Sequence, residues 1–246
     1  MDVAATVTAL TGELTQQSTP ERAEGEKRYL KSDLEFLGAT IPTIRRTAKR
    51  FRRSSPDLDR ADLISLVDGL WAKRVHELRM LGIELLALYY EVLKASDLPF
   101  IERLLRESKT WALVDTLCTR VVGGMVERFP ELSAELDRWA RDADFWIRRS
   151  ALLAHLTALR AGEGDWDRFA RIADGMLEEK EFFIRKAIGW VLRDTARRRP
   201  ELVAGWVGPR THRMSGITIR EAVKPLPPQQ ADAFLDAYRE RRPATV

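Results

Sequence analysis

The sequence predicts an all-α protein, a solenoid of antiparallel helix pairs, on three observations. Apolar residues recur at spacings of three and four along most of the chain, as in LRMLGIELLALYYEVL at 78–93. This spacing matches one face of an α-helix. Strand-like alternation is scarce, and a short pattern returns every 33 to 37 residues. A period of that length is typical of one helix pair per repeat.

The repeated pattern is an aliphatic residue followed by a charged one, with a small residue three or four positions after the aliphatic one. The aliphatic–charged pairs are Ile44-Arg45, Leu78-Arg79, Val114-Asp115, Ile147-Arg148, Ile184-Arg185 and Ile219-Arg220. The small residues are Ala48, Gly82, Cys118, Ala151, Ala187 and Ala222. The pattern resembles HEAT-type repeats and covers residues 40–225. We therefore expect one HEAT-like-repeat domain over residues 1–246.

In an array of HEAT-like repeats the second helix of each pair lines the concave surface. The residue after each aliphatic position should face that surface, so five arginines would form a concave basic groove. Such a groove suits a polyanion. The alternative is that these arginines pair with acidic groups of neighbouring repeats and hold the solenoid together.

A second basic feature is a short stretch with no acidic residue from 36 to 56. Its cations are Arg45, Arg46, Lys49, Arg50, Arg52 and Arg53. Positions 45, 49, 52 and 53 share one helix face. We expect phosphate contacts here, because so unbalanced a run repels itself until an anion neutralises it; a solvated face is the alternative. The net charge of +4 and the isoelectric point near 9.3 permit an anionic partner.

Composition excludes several classes of protein. Cys118 is the only cysteine, so an internal disulfide and a multi-cysteine metal site are excluded. The three histidines, His76, His155 and His212, lie far apart in sequence, and we expect no metal and no cofactor. No apolar run approaches the roughly 18 residues of a membrane helix, and the N-terminus lacks the basic start of a secretory signal. We expect a cytoplasmic monomer with no membrane contact.

The third repeat carries Asp115 where the other five carry arginine. Arg79 and Arg148 in the adjacent repeats would keep this carboxylate ionised. Trp111 lies four residues earlier on the same helix face, and Trp190 lies two repeats further on. A carboxylate flanked by aromatic rings can surround a cationic ligand. The alternatives are an inter-repeat ion pair for Asp115 and core positions for the tryptophans.

These residues lie in segments that resemble the DNA alkylation repair family, the HEAT-like-repeat alkylpurine DNA glycosylases of bacteria. The segments are FLG-x-x-x-P-x-x-R-R from Phe36 to Arg46, TWALVD ending at Asp115, WIRRSA at 146–151, EFFIRKAIGWVLR at 181–193 and IREAVK at 219–224. The resemblance extends over most of the chain. Where the family usually has a second tryptophan and an acidic residue, this chain has Ala112 and Leu113.

The resemblance implies roles for particular residues. Asp115 corresponds to the catalytic aspartate, Trp111 and Trp190 to the two active-site tryptophans, and Arg149 to an assisting arginine, while Tyr29 would lie near DNA. The expected DNA contacts of the chain are Tyr29, Arg45, Arg46, Lys49, Arg79, Arg148, Arg185, Lys186 and Arg220.

The implied activity is that of a monofunctional DNA glycosylase, which starts base excision repair by hydrolysing the N-glycosidic bond of N3- or N7-alkylated purines in duplex DNA. No lysine stands beside Asp115 to form a Schiff base. Two alternatives remain: a non-catalytic HEAT-repeat scaffold, and a DNA-binding paralogue that does not excise.

Overall fold

Helices account for the regular structure of residues 1–240, the part of the chain that the computed structural model describes. No β-strand occurs among those residues, and an isolated β-bridge joins Glu35 to Val75. The prediction of an all-α helical fold is confirmed. None of the described helices combines the length and apolarity that crossing a membrane requires.

The chain forms two units, divided after Met125. The first contains α1 (Val3–Gln16), α2 (Pro20–Leu30), α3 (Ile41–Ser54), α4 (Arg60–Ala72), α5 (His76–Leu88), α6 (Leu98–Ser108), α7 (Trp111–Leu117) and a π-helix (Cys118–Val122). The helix α8 (Gly123–Arg128) contains the boundary. The described part of the second unit contains α9 (Ser133–Trp139), α10 (Phe145–Leu153), α11 (Leu156–Ala161), α12 (Trp166–Gly175), α13 (Phe182–Ala196), α14 (Pro200–Val207), α15 (Gly216–Ala222) and α16 (Pro228–Glu240).

The repeat pattern corresponds to buried positions in both units. Its six aliphatic residues lie on α3, α5, α7, α10, α13 and α15, and none exposes more than 1% of its surface. The small residues of the pattern are buried as well. Burial of a large aliphatic side chain stabilises a fold by about 1.5–3 kcal/mol. The repeated residues are therefore interior anchors that hold each of these helices in its unit.

The close approach of α13 and α15 explains a glycine in the most specific sequence segment. A Cβ atom on Gly189 would lie 2.8 Å from the Cβ of Glu221 and 3.1 Å from the Thr218 carbonyl oxygen. Any larger residue at this position would push the two helices apart.

Ion pairs also join neighbouring helices within each unit, through arginines outside the repeat pattern. Arg103 of α6 binds Asp68 of α4 at 2.5 Å, and Arg168 of α12 binds Asp137 of α9 at 2.7 Å. Partly exposed pairs of this kind each contribute about 0–1 kcal/mol. Their contribution to the stability of the fold is therefore small.

Candidate functional site

Trp111 and Asp115 lie one turn apart on α7, and both are half-buried. The opposite face of this helix is anchored by Leu113, Val114 and Leu117, which are fully buried. Because the anchored face is apolar, the helix presents the indole and the carboxylate together on its other face. The sequence-predicted pairing of these two residues on one helix face agrees with this geometry.

Tyr29 of α2 packs edge-on against Trp111, with ring centroids 5.9 Å apart and planes at 89°. Its side chain is nevertheless exposed, at 71%. The helix α2 contains no buried residue. Edge-to-face pairs contribute about 0.5–1.5 kcal/mol, so this contact helps to hold α2 beside α7.

The FLG motif lies in the segment after α2, and its contacts explain why these residues are needed there. The buried carboxylate of Glu77 on α5 accepts hydrogen bonds from the backbone N–H groups of Leu37, at 3.0 Å, and Gly38, at 2.6 Å. Gly38 has φ of 91°, and a Cβ atom there would lie 2.2 Å from the Thr19 carbonyl oxygen. The motif thus fixes the loop that carries α2, and with it Tyr29, to the body of the first unit.

A cavity of 270 Å³ lies beside Trp111 in the first unit. Its lining residues come from α2, α3, α5 and α7, together with Ala39 before α3. They are Glu26, Tyr29, Leu30, Ala39, Ile41, Ile44, Arg45, His76, Met80, Trp111, Ala112 and Thr116. The tertiary fold therefore adds Glu26 and His76, which the sequence did not mark as site residues, to the surroundings of the candidate tryptophan.

Glu84 of α5 is a buried carboxylate between two arginines. Arg45 Nε donates to its Oε1 at 3.0 Å, and an Arg120 nitrogen lies 3.1 Å from its Oε2. Arg120 lies on the π-helix that follows α7. In a π-helix the backbone hydrogen bonds join residues five apart, and Arg120 follows Asp115 by five residues. Nothing in the sequence pattern marked Arg120 or Glu84.

The other basic residues predicted on the first unit differ in their surroundings. Lys49 is exposed, whereas Arg46 donates hydrogen bonds to the side chains of Gln17 and Thr43. Arg79 is 5% exposed and donates to the carbonyl oxygens of Trp71 and Glu107. At Arg79 the geometry favours the alternative of a link within the helical array.

Trp190 of the second unit is held by a carboxylate on its own helix. Its indole Nε1 donates to Asp194 at 3.1 Å. Asp194 is 2% exposed and also accepts from Arg160 Nε at 2.9 Å and Arg193 Nε at 3.2 Å. Burial raises the pKa of Asp194, but the hydrogen bonds and charges of Arg160 and Arg193 outweigh it and hold the pKa below its ordinary value. The i, i+4 spacing of Trp190 and Asp194 could have indicated this contact.

Arg149 is 2% exposed and lies beside an aromatic cluster of the second unit. It donates a hydrogen bond to the Phe183 carbonyl oxygen, and its guanidinium lies 5.7 Å from the centre of the Phe183 ring. Phe183 in turn packs against Trp146, with centroids 4.9 Å apart. Burying a charge is costly unless the group is paired or hydrogen-bonded, so a buried arginine depends on specific contacts. Phe183 is a neighbour that the sequence did not single out.

The remaining predicted DNA contacts lie on α10, α13 and α15. Arg148 forms a double hydrogen bond with Glu179, at 2.9 and 2.8 Å, which raises the pKa of the guanidinium. Arg185 donates to the Glu179 carbonyl oxygen at 2.6 Å. Lys186 and Arg220 are exposed. Arg185 and Arg220 also line a cleft of 650 Å³ together with Arg213. Arg148 therefore links repeats, while Arg185 and Arg220 are also available to an anion.

These features define a class of helical-repeat protein that suits a polyanionic ligand. Its repeats have buried aliphatic anchors, one helix face is aromatic and acidic, and arginines are clustered. The chain belongs to the DNA alkylation repair enzyme family, whose family model matches residues 10–226. This finding confirms the resemblance drawn from the sequence segments.

Two solved structures show the same fold. A predicted DNA alkylation repair enzyme from Enterococcus faecalis is 23% identical, with a TM-score of 0.76 over 86% of this chain and 98% of that chain. AlkD2 from Streptococcus mutans is 15% identical, with a TM-score of 0.60 over 82% of this chain and 98% of that chain. No curated protein sequence matches this chain.

Proposed function

We propose that this protein is a monofunctional alkylpurine DNA glycosylase that removes N3- or N7-alkylated purines from duplex DNA and so begins base excision repair. The observation that carries the proposal is the shared face of α7, where Trp111 and Asp115 stand one turn apart and are half-buried. Membership of the DNA alkylation repair enzyme family supports it.

Release of the base leaves positive charge on the sugar, and the enzyme has to stabilise that charge. Alkylation at N3 or N7 makes the purine cationic, so the base leaves as a neutral molecule with the electron pair of the glycosidic bond. The deoxyribose then becomes oxocarbenium-like. A carboxylate at Asp115 stabilises that positive charge and orients the attacking water. The water adds to C1′ of the sugar and releases a proton. The reaction consumes one water and no redox partner.

The aromatic and basic residues have separate roles in this proposal. Trp111 and Trp190 correspond by resemblance to the two active-site tryptophans of the family, and the face of each indole ring attracts a cation. Arg149 is 2% exposed and hydrogen-bonded to the Phe183 carbonyl oxygen, so it has to leave that contact before it can bind a backbone phosphate. Contacts to phosphates position the duplex without reading its sequence. We assign that role to Tyr29, Arg45, Arg46, Lys49, Arg185, Lys186 and Arg220.

The deciding experiment is Asp115→Asn, which keeps the shape of the side chain and removes its charge. We expect single-turnover release of 7-methylguanine from duplex DNA to fall by on the order of 10²-fold or more, with little change in melting temperature. The control is Asp137→Asn, which weakens the inter-repeat pairs with Arg168 and Arg171. It should lower the melting temperature and leave release per folded molecule unchanged. An Asp115→Asn variant that melts early and excises at the wild-type rate would overturn the catalytic assignment.

The wild-type protein separates the alternatives in the same assay. Binding to alkylated duplex without base release would identify a DNA-binding paralogue. Absence of both binding and release would identify a scaffold.

A further inference from the structure

The cavity beside Trp111 has the size of a small planar ligand. Its volume is 270 Å³, just below the roughly 300 Å³ at which sites for drug-sized ligands begin. A free base fits this space better than a nucleoside or a stretch of DNA. The cavity lies wholly within the first unit, so it depends on no other part of the molecule.

The walls of the cavity combine aromatic and aliphatic surfaces. Tyr29 and Trp111 contribute their rings, set at right angles to one another. Ile44 and Met80 contribute buried aliphatic surface. Ala112 adds only a methyl group at the position after the tryptophan. A heteroaromatic ring that stacks on one face and is enclosed at its edges suits such walls.

One polar group of the lining lacks a hydrogen-bond partner within residues 1–240. His76 is 4% exposed, and its Nδ1 has no hydrogen-bond partner among the described residues. Burial and the charge of Arg79 lower the pKa of His76 to about 4, so its imidazole is neutral at pH 7. A buried polar atom without a hydrogen-bond partner destabilises the folded chain. A ligand that supplies the missing hydrogen bond recovers this free energy.

Glu26 supplies an acceptor on the α2 side of the cavity. Burial raises the pKa of its carboxyl, and the nearby charge of Glu77 adds to that rise, while the charge and hydrogen bond of Arg22 partly offset it. A carboxylate has lone pairs for several donors, so the bond from Arg22 leaves room for two adjacent N–H groups. The N1–H and N2–H₂ edge of guanine presents such a pair of donors.

We propose that this cavity binds a free guanine-type purine base, and that its natural occupant is the base released by the enzyme. The second part rests on the proposed function; the first does not. The base stacks against Trp111 beneath Tyr29, donates to Glu26 and hydrogen-bonds to His76. The excised base then competes with the next lesion for the same tryptophan, so free 7-methylguanine is a product inhibitor.

The test is calorimetric titration of the full chain with free 7-methylguanine, and with thymine as a pyrimidine control. Two variants probe the site. Ala112→Leu fills the cavity, and Glu26→Gln replaces an acceptor-only group with an amide. The matched control for the second is Glu24→Gln, which changes an exposed residue of the same helix. Ala61→Leu, an exposed alanine of α4, controls for the first.

We expect 7-methylguanine to bind the wild type and thymine not to bind. Binding should weaken tenfold or more in Ala112→Leu and Glu26→Gln and remain unchanged in both controls. Failure of the wild type to bind 7-methylguanine, equal binding of thymine, or undiminished binding by Ala112→Leu would each overturn the proposal.

Excision assays on the wild type keep this inference apart from the proposed function. If the protein binds the free base but does not excise, the proposed binding site stands and the proposed glycosylase activity is wrong. If the protein excises but is not inhibited by 7-methylguanine at concentrations far above that of the substrate, the proposed activity stands. The assignment of the released base as the natural ligand of the cavity is then wrong.

Discussion

The indole Nε1 of Trp190 donates a hydrogen bond to Asp194, one turn further along α13, at 3.1 Å. Asp194 is itself held by Arg160 and Arg193, and Arg193 continues the network to Glu221 on α15. A side chain fixed by a buried, charge-assisted network has one orientation instead of several. Asp194 is therefore a positioning residue for the candidate tryptophan.

Asp194→Ala should reduce excision by about tenfold to a hundredfold, because small misplacements of a contact group carry costs of that size. The near-ultraviolet circular dichroism of the tryptophans should change with it. Asp194→Asn retains an acceptor for the indole and should recover part of the rate. Asp174→Asn is the control, since Asp174 also binds two arginines, Arg210 and Arg213, but no tryptophan. A rate loss in the control equal to that of Asp194→Ala would reduce Asp194 to a stabilising role.

The repeat read from the sequence placed the interior correctly, because an aliphatic residue at a fixed period has to face the core of each unit. Ile44, Val114 and Ile184 are buried as that pattern requires. Periodicity predicts which side of a helix faces the core, but it does not predict how deeply the other residues of that helix are buried. On α5 every residue from His76 to Leu86 is buried, so Arg79 is enclosed even though its counterpart Arg45 is half-exposed.

Gly38→Ala should lower the free energy of unfolding by about 2 kcal/mol or more, since a positive φ strains any residue with a Cβ atom. The new atom would also meet the Thr19 carbonyl oxygen. The matched control is Gly25→Ala within α2, where nothing lies within 4 Å of the added atom. Alanine there should stabilise the helix by about 0.5–1 kcal/mol. Urea denaturation measures both changes, and equal effects in the two variants would contradict the assigned role of the FLG loop.

Lys49→Ala should weaken binding to damaged and undamaged duplex alike and reduce the slope of log affinity against log salt by about 0.9, the loss of one phosphate contact. Lys49 is the suitable test within the basic stretch because Arg45 and Arg50 pair with Glu84 and Glu13. Lys73→Ala removes the same charge from an exposed site after α4. An equal loss of slope in Lys73→Ala would show only a net-charge effect.

Part of the candidate site could not be predicted from the sequence, for a physical reason. Trp111 and Asp115 are four residues apart, so helix geometry alone brings them together. Tyr29 reaches Trp111 only through the loop held by Glu77 and Gly38. No local pattern encodes that contact, because it depends on how the loop docks on α5.

Acidification should destabilise the fold through two buried histidines. Burial and the charge of Arg79 lower the pKa of His76 to about 4. Burial lowers the pKa of His155 to about 4 as well, with nearby charges acting in both directions. The unfolded chain takes up protons near the ordinary pKa of 6.5, whereas the folded state resists them. Stability is therefore fully present above pH 6.5 and falls as the pH drops towards 4.

At pH 5 the loss should be about 2 kcal/mol for each histidine. Thermal unfolding between pH 7.5 and 4.5 measures it. His155→Gln should flatten the pH dependence by roughly half, whatever it does to stability at pH 7.5. His212→Gln, at an exposed position of the second unit, should leave the dependence unchanged. If His155→Gln follows the wild-type curve in parallel, the acid sensitivity comes from other groups, and the neutral state assigned to this buried imidazole is wrong.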